Sequence, residues 1–271
     1  MSSLPLLIEP QQLEAELDNP ELLLVDLSRQ SQYVQVHIPG AIWLDYGTIT
    51  AMHKPVMGLL PDEQHLSRVL SASGMTEDKH VVAYDEEGGG KAARLIWTLH
   101  ALGHTKTSLL NGGLISWYKE DHPLSADVVE PQPSVYIASL KHPEVIADAN
   151  YILPRLNDGS IQLLDARSAA EYDGSKRYAD KGGHIPGAIR YEWTDAMDQQ
   201  HNMRLLPDEQ LQARLTSLGF DKDHEIITYC QTHHRSALSY VMLKHLGFEK
   251  VRGYHGSWSE WGNRSDTPVE V

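Results

Sequence analysis

Cys230 is the single cysteine of a 271-residue chain, and it is followed by Gln231, Thr232, His233, His234 and Arg235. A thiol beside fixed cations is a candidate nucleophile, because the thiolate is the reactive form and nearby positive charge favours it. Free cysteine is more often a small buried hydrophobe. The polar, cationic sequel argues for a loop instead, since burying those groups unpaired would be costly. Cys230, His233 and His234 are also zinc-type ligands, but a second cysteine is lacking and zinc sites want three or four well-spaced ligands. No metal and no cofactor are therefore expected.

The elements flanking the thiol give it a position. Residues 225–229 (Glu-Ile-Ile-Thr-Tyr) read as a strand, and the apolar residues of 236–246 recur at helical spacing. The thiol then lies at a strand end and a helix N-terminus, where unpaired N–H groups and the helix dipole favour an anion.

Composition limits the function. Formal net charge is −14, which argues against nucleic acid or an anionic membrane as partner. No apolar run approaches the roughly 18 residues of a membrane span. The N-terminal residues do not read as a secretory signal, and a lone cysteine fits a reducing, cytoplasmic setting.

The chain repeats itself. His37-Ile38-Pro39-Gly40-Ala41-Ile42 recurs as His184-Ile185-Pro186-Gly187-Ala188-Ile189, and Leu59-Leu60-Pro61-Asp62-Glu63-Gln64 recurs as Leu205-Leu206-Pro207-Asp208-Glu209-Gln210. Asp26 precedes Tyr33 by seven residues, as Asp165 precedes Tyr172. The segment from Lys106 through Gly112 to Trp117 aligns without a gap with Lys250 through Gly256 to Trp261. This is a duplicated domain with a period too long for a solenoid. Each copy alternates strands (21–26, 80–85 and 107–110 in the first) with helices (62–70 and 91–102), which predicts an α/β fold with a mainly parallel sheet and helices on both faces. The Leu-Pro-Asp-Glu-Gln segment reads as a helix start with proline in its first turn. The expected division is 1–124, a linker over 125–143, and 144–271. Two internal copies already form a pseudo-dimer, so a monomer is expected.

Duplication supplies a control for the thiol. Where the second copy ends its strand with Cys230, the first ends with Asp85, followed by Glu86, Glu87 and three glycines. The Asp85 carboxylate can occupy its own ring of amides and would repel anions, so the first copy is expected to be catalytically silent. Lys91 after those glycines does not make a phosphate loop, since Ala92 follows it.

With its two α/β copies, the Gly183–Ala188 segment, the Gly256-to-Trp261 tail and the Cys-x4-Arg loop, the chain resembles a tandem-domain rhodanese, nearest to bacterial thiosulfate sulfurtransferases with a Cys-Gln-Thr-His-His-Arg loop. The resemblance implies sulfane sulfur carried as a persulfide on Cys230, in the C-terminal copy and at the cleft between domains. A small-molecule donor such as thiosulfate and a thiophilic acceptor such as cyanide would be the partners. The N–H groups of residues 231–235 would stabilise the charged sulfur, and Arg235 is the expected bidentate cation for an oxyanion. His233 and His234 could add donors or charge, or simply sit on the surface. Arg167, Arg190 and Trp193 are further cleft candidates, with core or interface packing the favoured role for Trp193. Alternatives are 3-mercaptopyruvate as donor and a persulfide carrier for a partner enzyme. A phosphatase of the Cys-x5-Arg type is disfavoured by the shorter loop.

Overall fold

The computed structural model describes residues 4–271 and divides into two compact units. The first half carries β1 (Leu7–Ile8), β2 (Leu22–Asp26), β3 (Ile42–Trp43), β4 (Ala51–His53), β5 (Val56–Leu59), β6 (His80–Tyr84) and β7 (Thr107–Leu110). The second repeats the set as β8 (Ile146–Ala147), β9 (Ile161–Asp165), β10 (Ile189–Arg190), β11 (Met197–Asp198), β12 (Arg204–Leu205), β13 (Glu225–Tyr229) and β14 (Val251–Tyr254). The helices that matter below are α1 (Glu63–Ala72), α2 (Gly90–Ala101), α3 (Ala169–Tyr172), α4 (Asp208–Ser217), α5 (Arg235–His245) and α6 (Ser257–Trp261).

Two five-stranded sheets, ordered β1-β7-β6-β2-β3 and β8-β14-β13-β9-β10, have the same topology and only parallel neighbours. The α/β reading from sequence therefore holds for both copies. In the second sheet the chain leaves β9 toward β10 on one side and β13 toward β14 on the other. The carboxyl ends of β9 and β13 thus flank a topological switch point, where open parallel sheets hold their ligands. Cys230 follows β13 there.

The units are not contiguous in sequence. One comprises Met1–Ile49, Pro61–His142 and Met197–Leu205, and the other Thr50–Leu60, Pro143–Ala196 and Leu206–Val271. Each copy therefore lends a hairpin, β4–β5 or β11–β12, to the other copy's unit. The stretch 125–142 is tied into the first unit: Tyr136 N donates to Ser71 Oγ at 2.9 Å, Ala138 N to Ser67 Oγ at 2.9 Å and His142 N to Ala101 O at 3.0 Å.

The repeated residues do repeated work. Tyr33 and Tyr172 donate their hydroxyls to Ala41 O and Ala188 O, at 2.8 and 2.6 Å. Each stacks on the histidine of its His-Ile-Pro-Gly turn, His37 or His184, with ring centroids 4.1 and 3.6 Å apart. Buried Trp117 and Trp261 donate Nε1–H to Pro123 O and Pro268 O, at 2.6 and 2.7 Å. The repeated motifs thus make the same local contacts in both copies, which assigns them to the fold. The helix starts differ slightly from the sequence reading. Asp62 caps α1 by accepting His65 N–H at 2.7 Å, so Pro61 stands just ahead of the helix, and Pro207 occupies the cap position of α4.

Candidate active site

Strand β13 buries Ile226 to Tyr229, so the chain leaves the sheet with Cys230 still inside the protein, and the residue is fully buried. The loop turns back at His233, whose φ of 51° is left-handed, and enters α5 at Arg235. Ser257, which opens α6, clamps the turn: its Oγ accepts the N–H groups of Cys230 at 3.2 Å and His233 at 3.0 Å, and donates to Tyr254 O at 2.7 Å. Two loop amides are thereby committed. The amides of Thr232 and Ser236, with the Ser236 hydroxyl, are directed to the sulfur.

Burial pushes the Cys230 thiol up. The Arg235 charge, followed by the hydrogen bonds from Ser236 and Thr232, outweighs it and brings the thiol down to about 7. A thiol lowered this far ionises far more readily near neutral pH than an ordinary cysteine.

Arg235 is not an open fork. Its Nη1 and Nη2 donate bidentately to Glu171 of α3 at 2.7 and 2.8 Å. Burial raises the Glu171 carboxyl, but hydrogen bonds and charge from Arg235, with help from Ser168, hold it down at about 2. The expectation of an Arg235 fork waiting for an oxyanion meets a different geometry: the cation works on the buried sulfur while its fork is occupied. Glu171 itself is fixed by a reciprocal cap, in which Ser168 Oγ donates to its carboxylate at 2.8 Å.

Against the loop that follows Cys230 lies an open cavity of about 490 Å³. Gln231, Thr232, His234 and Arg235 form its loop side, and Met57, Glu171, Lys176 and Tyr178 its walls. Lys176 lies over the Tyr178 ring, 5.1 Å from its centroid. Met57 arrives on the β4–β5 hairpin, held by Ser259 Oγ, which accepts Met57 N–H at 2.9 Å and donates to Met57 O at 3.0 Å.

The other residues singled out from sequence are placed apart from this wall. His233 is fully buried beneath the loop, with Nδ1 2.8 Å from Ser236 Oγ. Trp193 stands behind His234 with ring centroids 5.9 Å apart. Arg190 pairs with Glu192 and Asp195 at 3.4 and 3.7 Å. Arg167 does not reach the cavity. It is 1% exposed, donates to Asp165 at 2.5 Å and to Gly183 O at 2.8 Å, and stacks 4.3 Å over Trp258. The nearby buried Asp165 demands a counter-ion, which explains that commitment. Glu171, Ser236, Ser257 and the hairpin were missed by sequence reading. Only Ser168-x-x-Glu171 left a trace, as a capping box.

The first copy shows the matching loop occupied from within. Asp85 is fully buried; its Oδ1 accepts the N–H groups of Glu87 at 2.9 Å and Gly89 at 2.8 Å, and its Oδ2 accepts Ala92 N–H at 3.0 Å. Burial first, then the Glu87 charge, raises its pKa despite those bonds.

Two copies of this sheet, with a buried thiol under an amide-lined loop, define the class, and the chain belongs to the rhodanese family: the Rhodanese-like domain matches residues 9–120 and 148–264. It is 46% identical over 270 residues to the thiosulfate sulfurtransferase of Azotobacter vinelandii, covering 100% of this chain and 98% of that protein. It is 43% identical to the thiosulfate sulfurtransferase of Pseudomonas aeruginosa, with the same coverage. The 3-mercaptopyruvate sulfurtransferase of Escherichia coli K12 is 30% identical over 95% of both chains. Among solved structures, the anaerobic ergothioneine biosynthesis enzyme of Chlorobium limicola shares the fold, with a TM-score of 0.87 at 22% identity over 98% of this chain and 70% of its own.

Proposed function

We propose that this protein is a thiosulfate sulfurtransferase that carries sulfane sulfur as a persulfide on Cys230. The observation that carries the reading is the Cys230 sulfur itself, buried, at about 7, with the Thr232 and Ser236 amides and the Arg235 charge directed to it. The thiolate attacks the outer sulfur of thiosulfate. A new S–S bond forms as the old one breaks, and the bonding pair leaves with sulfite. The persulfide keeps one negative charge, which the same donors stabilise. Cyanide or a thiolate then takes the terminal sulfur, and the Cys230 thiolate is restored, giving a two-step, ping-pong cycle.

Lys176 and His234 at the cavity favour an anionic donor. Thr232, Gln231 and His234 form the surface over which it slides toward the sulfur. His233 acts from beneath. Thiosulfate is preferred as donor over 3-mercaptopyruvate because the relatives named for it are the more similar over the full length. The first copy, 1–124, is read as catalytically silent, with Asp85 where the thiol would be. A reducing, cytoplasmic setting suits a free thiol, and a monomer suffices for the chemistry.

Intact-protein mass spectrometry after thiosulfate tests the core of the reading. One added sulfur atom, removed by cyanide and absent from Cys230→Ala, is expected; sulfur gained by Cys230→Ala would overturn it. Steady thiocyanate production under excess thiosulfate and cyanide is expected of an enzyme. A single stoichiometric burst would identify a carrier, and faster turnover with 3-mercaptopyruvate would reassign the donor.

A further inference from the structure

His233 is absent from the cavity wall, yet it is the most constrained residue of the loop. Its backbone is left-handed, its N–H is held by Ser257 Oγ at 3.0 Å, and its ring is fully buried with Nδ1 2.8 Å from Ser236 Oγ. Ser236 is equally buried, and its carbonyl is fixed by Thr228 Oγ1–H at 3.0 Å. The same Ser236 hydroxyl reaches the Cys230 sulfur.

A serine hydroxyl has one proton to donate. If His233 Nδ1 is bare, it accepts that proton and the sulfur loses its hydroxyl donor. If Nδ1 carries hydrogen, it donates to Ser236 Oγ, and the Ser236 proton turns to the sulfur. An anionic sulfur, whether thiolate or persulfide, selects the second arrangement, because a charge-assisted bond outweighs a neutral one. A chain of two such bonds is also cooperative.

We infer that His233 is a positioning residue for sulfur transfer: it holds its proton on Nδ1 and thereby keeps the Ser236 hydroxyl aimed at the Cys230 sulfur through both half-reactions. The inference rests on Cys230 being the sulfur-bearing residue. The charged groups around that sulfur are Arg235 and its partner Glu171, and neither depends on the His233 tautomer for its pairing. His233 needs no contact with donor or acceptor to play this part. The left-handed backbone is what turns the ring inward, and histidine and asparagine are among the few residues that adopt it readily.

The direct test is ring-¹⁵N NMR of the full-length protein after loading with thiosulfate, with the His233 signals assigned by their loss in His233→Asn. A protonated Nδ1 is expected; a bare Nδ1 in the loaded protein would overturn the inference. A mutant cycle supplies the functional arm, read as the rate of Cys230 alkylation by iodoacetamide at neutral pH. His233→Ala is expected to slow it about threefold to tenfold, the worth of one hydrogen bond, and to have no further effect in a Ser236→Ala background. His233→Asn, which keeps an amide near the Nδ1 position and tolerates the backbone, should recover most of the loss. Equal losses in both backgrounds would mean that His233 acts only on the fold. Alkylation does not require sulfur transfer, so failure of this arm is separable from failure of the Cys230 assignment, which the mass measurement with Cys230→Ala decides.

Discussion

Gly58, on the hairpin that the first copy lends to the second unit, lies directly against the carbonyl of Thr232 in the Cys230 loop. A Cβ built on Gly58 would overlap that carbonyl, and Gly58 also has a left-handed φ of 76°. The copy that lacks a thiol thus sets the outer surface of the loop that has one. Backbone meets backbone here, so no rotamer change can relieve added bulk. Gly58→Ala must displace either the hairpin or Thr232, whose amide serves the sulfur. It is expected to lower kcat/KM for thiosulfate by about tenfold or more, in line with strain of roughly 1–3 kcal/mol at such a position. Steady-state thiocyanate assays beside thermal unfolding check this. Wild-type kinetics in a folded Gly58→Ala protein would show that the contact is slack.

Arg235 is the largest influence lowering the Cys230 thiol, against the burial that raises it. Its removal leaves burial opposed only by the Ser236 and Thr232 hydrogen bonds, so the shift has a definite sign. In the wild type, sulfur loading should rise with pH and level off above about 7, as the thiolate forms. In Arg235→Gln the pH of half-alkylation should rise by roughly one unit or more. Thiolate at neutral pH would fall to about a tenth or less, and the loading rate with it. The pH profile of iodoacetamide alkylation decides the matter, and an unmoved midpoint would remove Arg235 from the account.

Glu171 links the same pair to stability. Its folded pKa of about 2 lies below the ordinary 4.5, and the residue is 4% exposed. A carboxyl with a lowered folded pKa contributes stability above its unfolded value and loses it as pH falls through the folded one. The window is therefore about 4.5 down to about 2, and the contribution is about 3 kcal/mol at most. Glu171→Gln should be less stable than the wild type at neutral pH, with the difference shrinking steadily below pH 4.5. Urea unfolding at a series of pH values measures it; a constant difference would show that the ion pair is not the source.

How much of this was legible in the chain follows from what kind of interaction holds each part. The His-Ile-Pro-Gly turns, the Trp117 and Trp261 anchors and the strand–loop–helix run through Cys230 depend on residues close in sequence, and they can be read there. Strands β1, β3, β8 and β10 are two residues long and carry no periodic signal, so the sheet order could not be read. Arg167 was a natural candidate for a cleft because it has no counterpart in the first copy. Its partner Asp165 lies two residues away, and that short spacing already hinted at the buried pair that takes it out of reach. Glu171 stands 64 residues from Arg235, and Gly58 belongs to the other repeat, so nothing local marks either as part of the site.

Asp85 offers the sharpest check on the division of labour between the copies. Its two oxygens take three loop amides, two bonds beyond Cβ, which is also where the terminal sulfur of a cysteine persulfide lies. The first copy therefore keeps a carboxyl group permanently where the second is proposed to hold a terminal sulfur transiently. Asp85→Ala removes that carboxyl group and leaves the N–H groups of Glu87, Gly89 and Ala92 without their acceptor. A cost of about 1–3 kcal/mol in unfolding free energy is expected. Because no step of the proposed cycle uses Asp85, thiocyanate production per folded molecule should stay at the wild-type value. Denaturant unfolding and turnover measured on the same preparation separate the two effects. A loss of turnover in a fully folded Asp85→Ala protein would show that the first copy takes part in the chemistry after all.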